Sequence, residues 1–189
     1  MAEPGHGLVR GATMMPDFSQ DHFTLLSLRP VFALDMAALD QAYRELQTEF
    51  HPDRFANAGE AEQRLAVQWS TRINEAYQTL KSPFARANYL LELQGIHAMD
   101  ASNTAMPALF LMQQMEWRES LMAAVAASDY DGLQVLEKST RTEADRLLGE
   151  LEVELDARQD YPAASETLRK YRFLEKFLAD INNAYEDIE

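Results

Sequence analysis

Phe50-His51-Pro52-Asp53-Arg54-Phe55 is the stretch whose reading decides the fold. Leu39, Tyr43, Leu46 and Phe50 lead into it at spacings of four, three and four, so they share one face of a helix. Asp35 is placed to cap that helix. Pro52 cannot continue it, because its ring removes a donor and crowds the preceding turn. Ala56 to Gly59 then reads as a short connection. Beyond it Leu65, Trp69, Ile73, Ala76, Tyr77 and Leu80 predict a second amphipathic helix from about Glu60 to Leu80. Two such helices joined briefly pack as an antiparallel hairpin. His51, Pro52 and Asp53 should therefore form its exposed corner.

The same reading extends outward. Asp21 or Ser19 can cap a short helix containing Phe23, Leu25, Leu26 and Leu28, which Arg29-Pro30 ends. On the other side Ser82-Pro83 opens a fourth helix, and Gly95 is a natural residue just past its end. Residues 96–106 are largely polar and irregular, and predict a linker. Three further helical patterns follow, Pro107 to about Ala127, Asp129 to about Ala157, and Ala163 to about Ile188. Asp160-Tyr161-Pro162 turns the chain before the last. Their short connections predict an antiparallel three-helix bundle. The expected organisation is all-α: a leader at 1–15, a hairpin unit at 16–95, the linker, and a bundle at 107–189. The leader shows no periodicity, and Met14 and Met15 are candidate natural starts.

Composition narrows the function. The chain has no cysteine, which excludes disulfides, thiolate nucleophiles and cysteine-ligated metals. Its net charge of −14 argues against nucleic acid and anionic membranes as partners. No apolar run approaches the roughly 20 residues of a membrane span. His6, His22, His51 and His97 lack the spacing of metal ligands, and no phosphate-binding loop or serine elbow occurs. His51 and Asp53 could form a base and its orienting partner, but no nucleophile accompanies them, and an exposed corner excludes water poorly. The corner thus reads as a docking point or a plain helix stop, and no enzyme activity or cofactor is expected. In the helix from Pro107, Phe110, Leu111, Met112, Met115 and Trp117 occupy more than one side. Methionines at helical spacing are most often core. A small bundle cannot bury all of these side chains, so part of them should form an exposed apolar patch.

The order of these elements resembles a J-domain. The resemblance rests on Ala42-Tyr43-Arg44-Glu45-Leu46, on Phe50 to Phe55, and on Ile73-Asn74-Glu75-Ala76-Tyr77-Gln78-Thr79-Leu80-Lys81-Ser82-Pro83. It implies a co-chaperone that engages a DnaK-class ATPase through His51, Pro52 and Asp53, with Arg44 and Arg54 beside them. J-domains usually carry a basic second helix, whereas here Glu45 and Glu49 offset Arg44. Phe110-Leu111-Met112-Gln113-Gln114-Met115-Glu116-Trp117-Arg118-Glu119 and Thr167 to Lys176 resemble segments of the HscB co-chaperones. That resemblance implies iron–sulfur cluster biogenesis, with an IscU-type scaffold and an HscA-type chaperone as partners, and the absence of cysteine fits the reducing cytoplasm expected for the chain. The scaffold-binding positions it carries over are Leu111, Met112, Met115, Glu116, Glu119 and Phe173. One turn past Glu119 the family can have another acidic residue, where this chain has Ala123. The alternatives are a J-domain co-chaperone for a different client and a plain helical interaction protein.

Overall fold

The computed structural model describes residues 18–100 and 106–188, and the described residues form helices and no strand. The expected leader at 1–15 and linker residues 101–105 lie outside the described residues. Helix α1 spans His22–Leu25 and begins at Asp21, whose Oδ1 accepts the Thr24 N–H at 2.9 Å. Helix α2 spans Met36–Phe50 and begins at Asp35, which accepts the N–H groups of Ala37 and Ala38. A 3₁₀ turn, Pro52–Phe55, leads to α3, Glu60–Lys81. Ser82 ends α3 and caps α4, Pro83–Leu93, through its Oγ to the Ala85 N–H. Gly95 follows α4 with φ +75°, a left-handed conformation that a side chain would strain.

The α2–α3 hairpin closes over Leu39, Phe50, Trp69, Ile73, Ala76 and Leu80, all buried. Its open side is tied by polar contacts. The Tyr43 and Tyr77 rings stack at 4.0 Å, and the Asn74 Oδ1 accepts from both the Tyr43 hydroxyl and the Gln47 amide.

The C-terminal half contains α5, Ala108–Ala126, α6, Tyr130–Glu152, and α7, Tyr161–Ile188. Trp117, Leu121, Leu136, Phe177 and Ile181 pack between the three. Two details differ from expectation. Helix α6 does not run to its end as α-helix but widens into a π-helical turn over Val153–Arg158. Helix α7 starts at Tyr161 rather than Ala163. Asp160 caps it, and Pro162 fits the first turn because its missing donor has no partner there.

The two halves share one core. Leu151, Leu155, Ala164 and Leu168 pack in the same cluster as Phe23, Leu39, Trp69 and Leu91. Ala98, in the stretch expected to be linker, is fully buried there, and Ile96 packs against it. The π-helical turn sets Asp156 against the loop before α2. Its carboxylate accepts the Phe32 N–H at 2.7 Å and the Ala33 N–H at 2.8 Å. Behind Phe32 lies buried Arg86, whose guanidinium sits 5.1 Å from the ring and donates to the Leu80 carbonyl at 2.7 Å. Burial lowers the Arg86 pKa, and the Asp156 charge works against that shift. Asp156→Ala removes two charge-assisted hydrogen bonds and the nearest compensating charge. We expect a loss of about 2–4 kcal/mol in urea denaturation, with Asp156→Asn intermediate because one acceptor remains. A change below about 0.5 kcal/mol, the ordinary surface value, would contradict this role.

His22 is buried at the start of α1. Its backbone N–H donates to the Tyr89 hydroxyl at 3.0 Å, its ring stacks on Tyr89 at 4.3 Å, and its Nδ1 has no partner. Burial, then the charge of Arg72, lowers its pKa, against opposing pulls from Glu75 and Asp21. The fold therefore favours neutral imidazole. Below the ordinary value of about 6.5 the unfolded chain takes up a proton that the folded chain resists. Stability from this site is complete above that pH and is lost as pH falls through the lowered folded value. Denaturation midpoints of wild type and His22→Gln between pH 8 and pH 5 should converge on acidification. Parallel pH profiles would contradict it.

Candidate functional site

At the corner, His51 ends α2 in an extended conformation (φ −61°, ψ 129°), and Pro52 opens the 3₁₀ turn. Phe50 anchors the turn from below, its ring 5.8 Å from Trp69. Arg54 reaches back to the Thr48 carbonyl at 3.0 Å, satisfying one of the acceptors that the end of α2 leaves free. With the backbone so fixed, His51, Pro52, Asp53 and Arg54 are all exposed. The His51 Nδ1 accepts the Asp53 N–H at 3.3 Å, and the Asp53 carboxylate lies 3.6 Å from the same nitrogen. The Asp53 backbone and carboxylate thus both stand on the Nδ1 side of the ring. The corner offers an imidazole, a carboxylate and a rigid proline, and no nucleophile stands beside them. Among the described residues no cluster of three potential metal ligands occurs. Next to the corner Arg44, Glu45, Thr48, Glu49 and Arg54 line an open depression of mixed charge.

A second surface lies on α5. Only Phe110 and Ala124 of this helix are buried, with Trp117 and Leu121 partly covered, because α6 and α7 pack on that one side. The opposite side is largely apolar yet open. Leu111 is 46% exposed, Met112 59%, Met115 63%, Met122 72% and Leu109 80%. Glu116 and Glu119 are also exposed, and neither forms an ion pair among the described residues. The sequence expectation of an apolar patch is thus met by particular side chains. Phe173 is placed differently from the other five. It is half-buried in a stack of aromatic rings, 6.0 Å from Trp117, 5.8 Å from Phe177 and edge-on to Phe110. The Arg118 guanidinium lies 5.8 Å from its ring. Arg118, Met122 and Leu109 were not singled out as functional from the sequence.

Comparison with known proteins gives the same two-part description. A DnaJ domain model matches residues 21–89, and a model described as the HSCB C-terminal oligomerisation domain matches residues 106–182. The co-chaperone protein HscB homologue of Burkholderia multivorans is 47% identical over 175 residues, 93% of this chain and 99% of that protein. The chain belongs to the HscB co-chaperone family. The homologue of Aromatoleum aromaticum is 45% identical over 176 residues, with the same shares covered. Among solved structures, chaperone HscB from Vibrio cholerae aligns with a TM-score of 0.79 and 36% identity, over 90% of this chain and all of that one. Human co-chaperone HscB aligns with a TM-score of 0.84 and 26% identity, over 97% and 93%. Like them, this HscB family member is all-α and carries a J-domain. No described helix is long and apolar enough to cross a membrane.

Proposed function

We propose that this protein is a two-faced adaptor of iron–sulfur cluster biogenesis in the cytoplasm. The α5 face binds an IscU-type scaffold through Leu111, Met112, Met115, Glu116 and Glu119, with Phe173 at its edge. The corner engages an HscA-type chaperone of the DnaK class and stimulates its ATP hydrolysis through His51, Pro52 and Asp53. Arg44 and Arg54 flank that contact. The chain holds its partners and performs no chemistry of its own, and it needs no cofactor to do so.

The observation that carries this reading is the open apolar side of α5 on a molecule whose two halves share one core. Five exposed aliphatic side chains on one helix are costly to leave in water unless a partner covers them. Because both surfaces sit on one body, capture of the scaffold raises its effective concentration at the chaperone. The mixed charge around Arg44 and Arg54 suits a partner matched in shape and local charge more than one drawn in by long-range attraction.

The test is steady-state ATP hydrolysis by the HscA-type chaperone, with this protein and the scaffold added singly and together. Stimulation by the protein alone, and a larger one with both, is the expected result. Stimulation without any binding of the scaffold would identify a co-chaperone for a different client.

A further inference from the structure

We infer that Gln63 is a positioning residue for chaperone stimulation, because from α3 it holds the turn that presents His51, Pro52 and Asp53. This rests on the reading of the corner as the chaperone contact. Burial does little to hold that turn on its α3 side. Phe50 is buried and Phe55 is partly covered, but from Ala56 to Arg64 the chain has no bulky apolar side chain. Order in this part of the turn has to come from polar contacts.

Gln63 supplies them. Its Nε2 donates to the Ala56 carbonyl at 3.1 Å and to the Ala58 carbonyl at 3.0 Å. Both partners are acceptors, so the amide spends both of its N–H groups on the connection. The same two residues reach back into the corner. The Ala56 N–H donates to the Asp53 carbonyl at 3.3 Å, and the Ala58 N–H to the Phe55 carbonyl at 2.9 Å. A continuous chain of hydrogen bonds therefore runs from the Gln63 side chain through Ala56 to Asp53. Gln63 is itself fixed by the first turn of α3, where its backbone N–H donates to the Gly59 carbonyl at 3.0 Å. On the opposite side Arg54 ties the turn to the Thr48 carbonyl at the end of α2. The corner is thus fastened to both helices, and Gln63 is its fastening to α3.

A corner released on one side still carries the same imidazole, proline and carboxylate. It spends part of its time outside the docking geometry, and its apparent affinity falls by the fraction that remains in place. Once the chaperone has captured it, the groups are ordered and act as before. Loss of Gln63 should therefore change the concentration needed for stimulation and leave the maximum alone. Loss of His51 removes a group of the corner itself, so its effect falls on the maximum.

The experiment is a titration of the full chain against ATP hydrolysis by the HscA-type chaperone, with amide hydrogen exchange of the free protein followed by nuclear magnetic resonance. Gln63 is exposed, and alanine is a good helix former, so Gln63→Ala should fold and bind the scaffold as wild type. It should raise the half-saturating concentration about fivefold, with maximal stimulation unchanged. The Ala56 and Ala58 amides should exchange faster by a similar factor. Gln63→Glu keeps the length but sets a carboxylate against two carbonyls, and should shift both readings at least as far. An unchanged half-saturating concentration in Gln63→Ala overturns the inference, with the corner reading intact. A raised concentration while both amides exchange at the wild-type rate assigns Gln63 to the chaperone contact itself and also overturns it. A wild type that gives no stimulation overturns the corner reading and the inference together.

Discussion

His51→Gln is expected to return ATP hydrolysis by the HscA-type chaperone to the rate of the chaperone alone. Folding and scaffold binding should be unaffected. The structure explains why the two effects separate. The imidazole is exposed, and among the described residues its one hydrogen bond is the 3.3 Å contact from the Asp53 N–H. Removing so weak a contact at the surface changes stability by no more than about 0.5 kcal/mol. What is lost is a rigid ring held by its own turn, with a neighbouring carboxylate in fixed relation. Glutamine can imitate one donor but not that fixed placement, because it adds rotatable bonds that must be ordered on contact. Asp53→Asn keeps the shape and removes the charge, so it should also lose stimulation. Full stimulation by His51→Gln, measured at saturating protein, would reduce the corner to a helix stop.

That corner was legible because proline imposes a local rule that no distant contact alters. Helices α2 and α3 were legible for a similar reason, since their apolar stripes repeat at helical spacing whatever packs on them. The α5 face was legible only in part. Its apolar residues lie on more than one side, so some had to be exposed. Which ones depends on where α6 and α7 pack, and no spacing within α5 encodes that. The junction was not legible at all. Asp156 meets Phe32 across 124 residues, and the π-helical turn that presents it has no signature in Val153 to Arg158. Ala98 sits in a stretch whose polarity suggested a linker, yet one small apolar side chain is enough to join a core. His22 likewise looks like a surface residue until Tyr89 from α4 covers it.

The second large effect concerns α5 itself. The double substitution Leu111→Ala, Met115→Ala is expected to weaken scaffold binding about 100-fold, or roughly 3 kcal/mol, while stimulation by the protein alone is unchanged. Both side chains are about half open in the free protein, so their value is realised only when a partner covers them. Alanine is the best helix former, and truncation at these open sites leaves no cavity behind. The folded state should therefore keep its stability within about 0.5 kcal/mol, which makes the binding loss interpretable. Phe173→Ala is a poorer probe of the same surface. Its ring stacks on Trp117 and Phe177, so its removal opens the bundle core and costs about 3 kcal/mol of stability or more before any partner is added. A weakened Phe173 variant would mix unfolding with lost contact, whereas the double variant on α5 would not. Titration of the double variant into the scaffold, with circular dichroism as the control for folding, reads the contact directly. Unchanged affinity would move the scaffold off the open side of α5, leaving the Phe173 edge under Arg118 as the remaining part of the site.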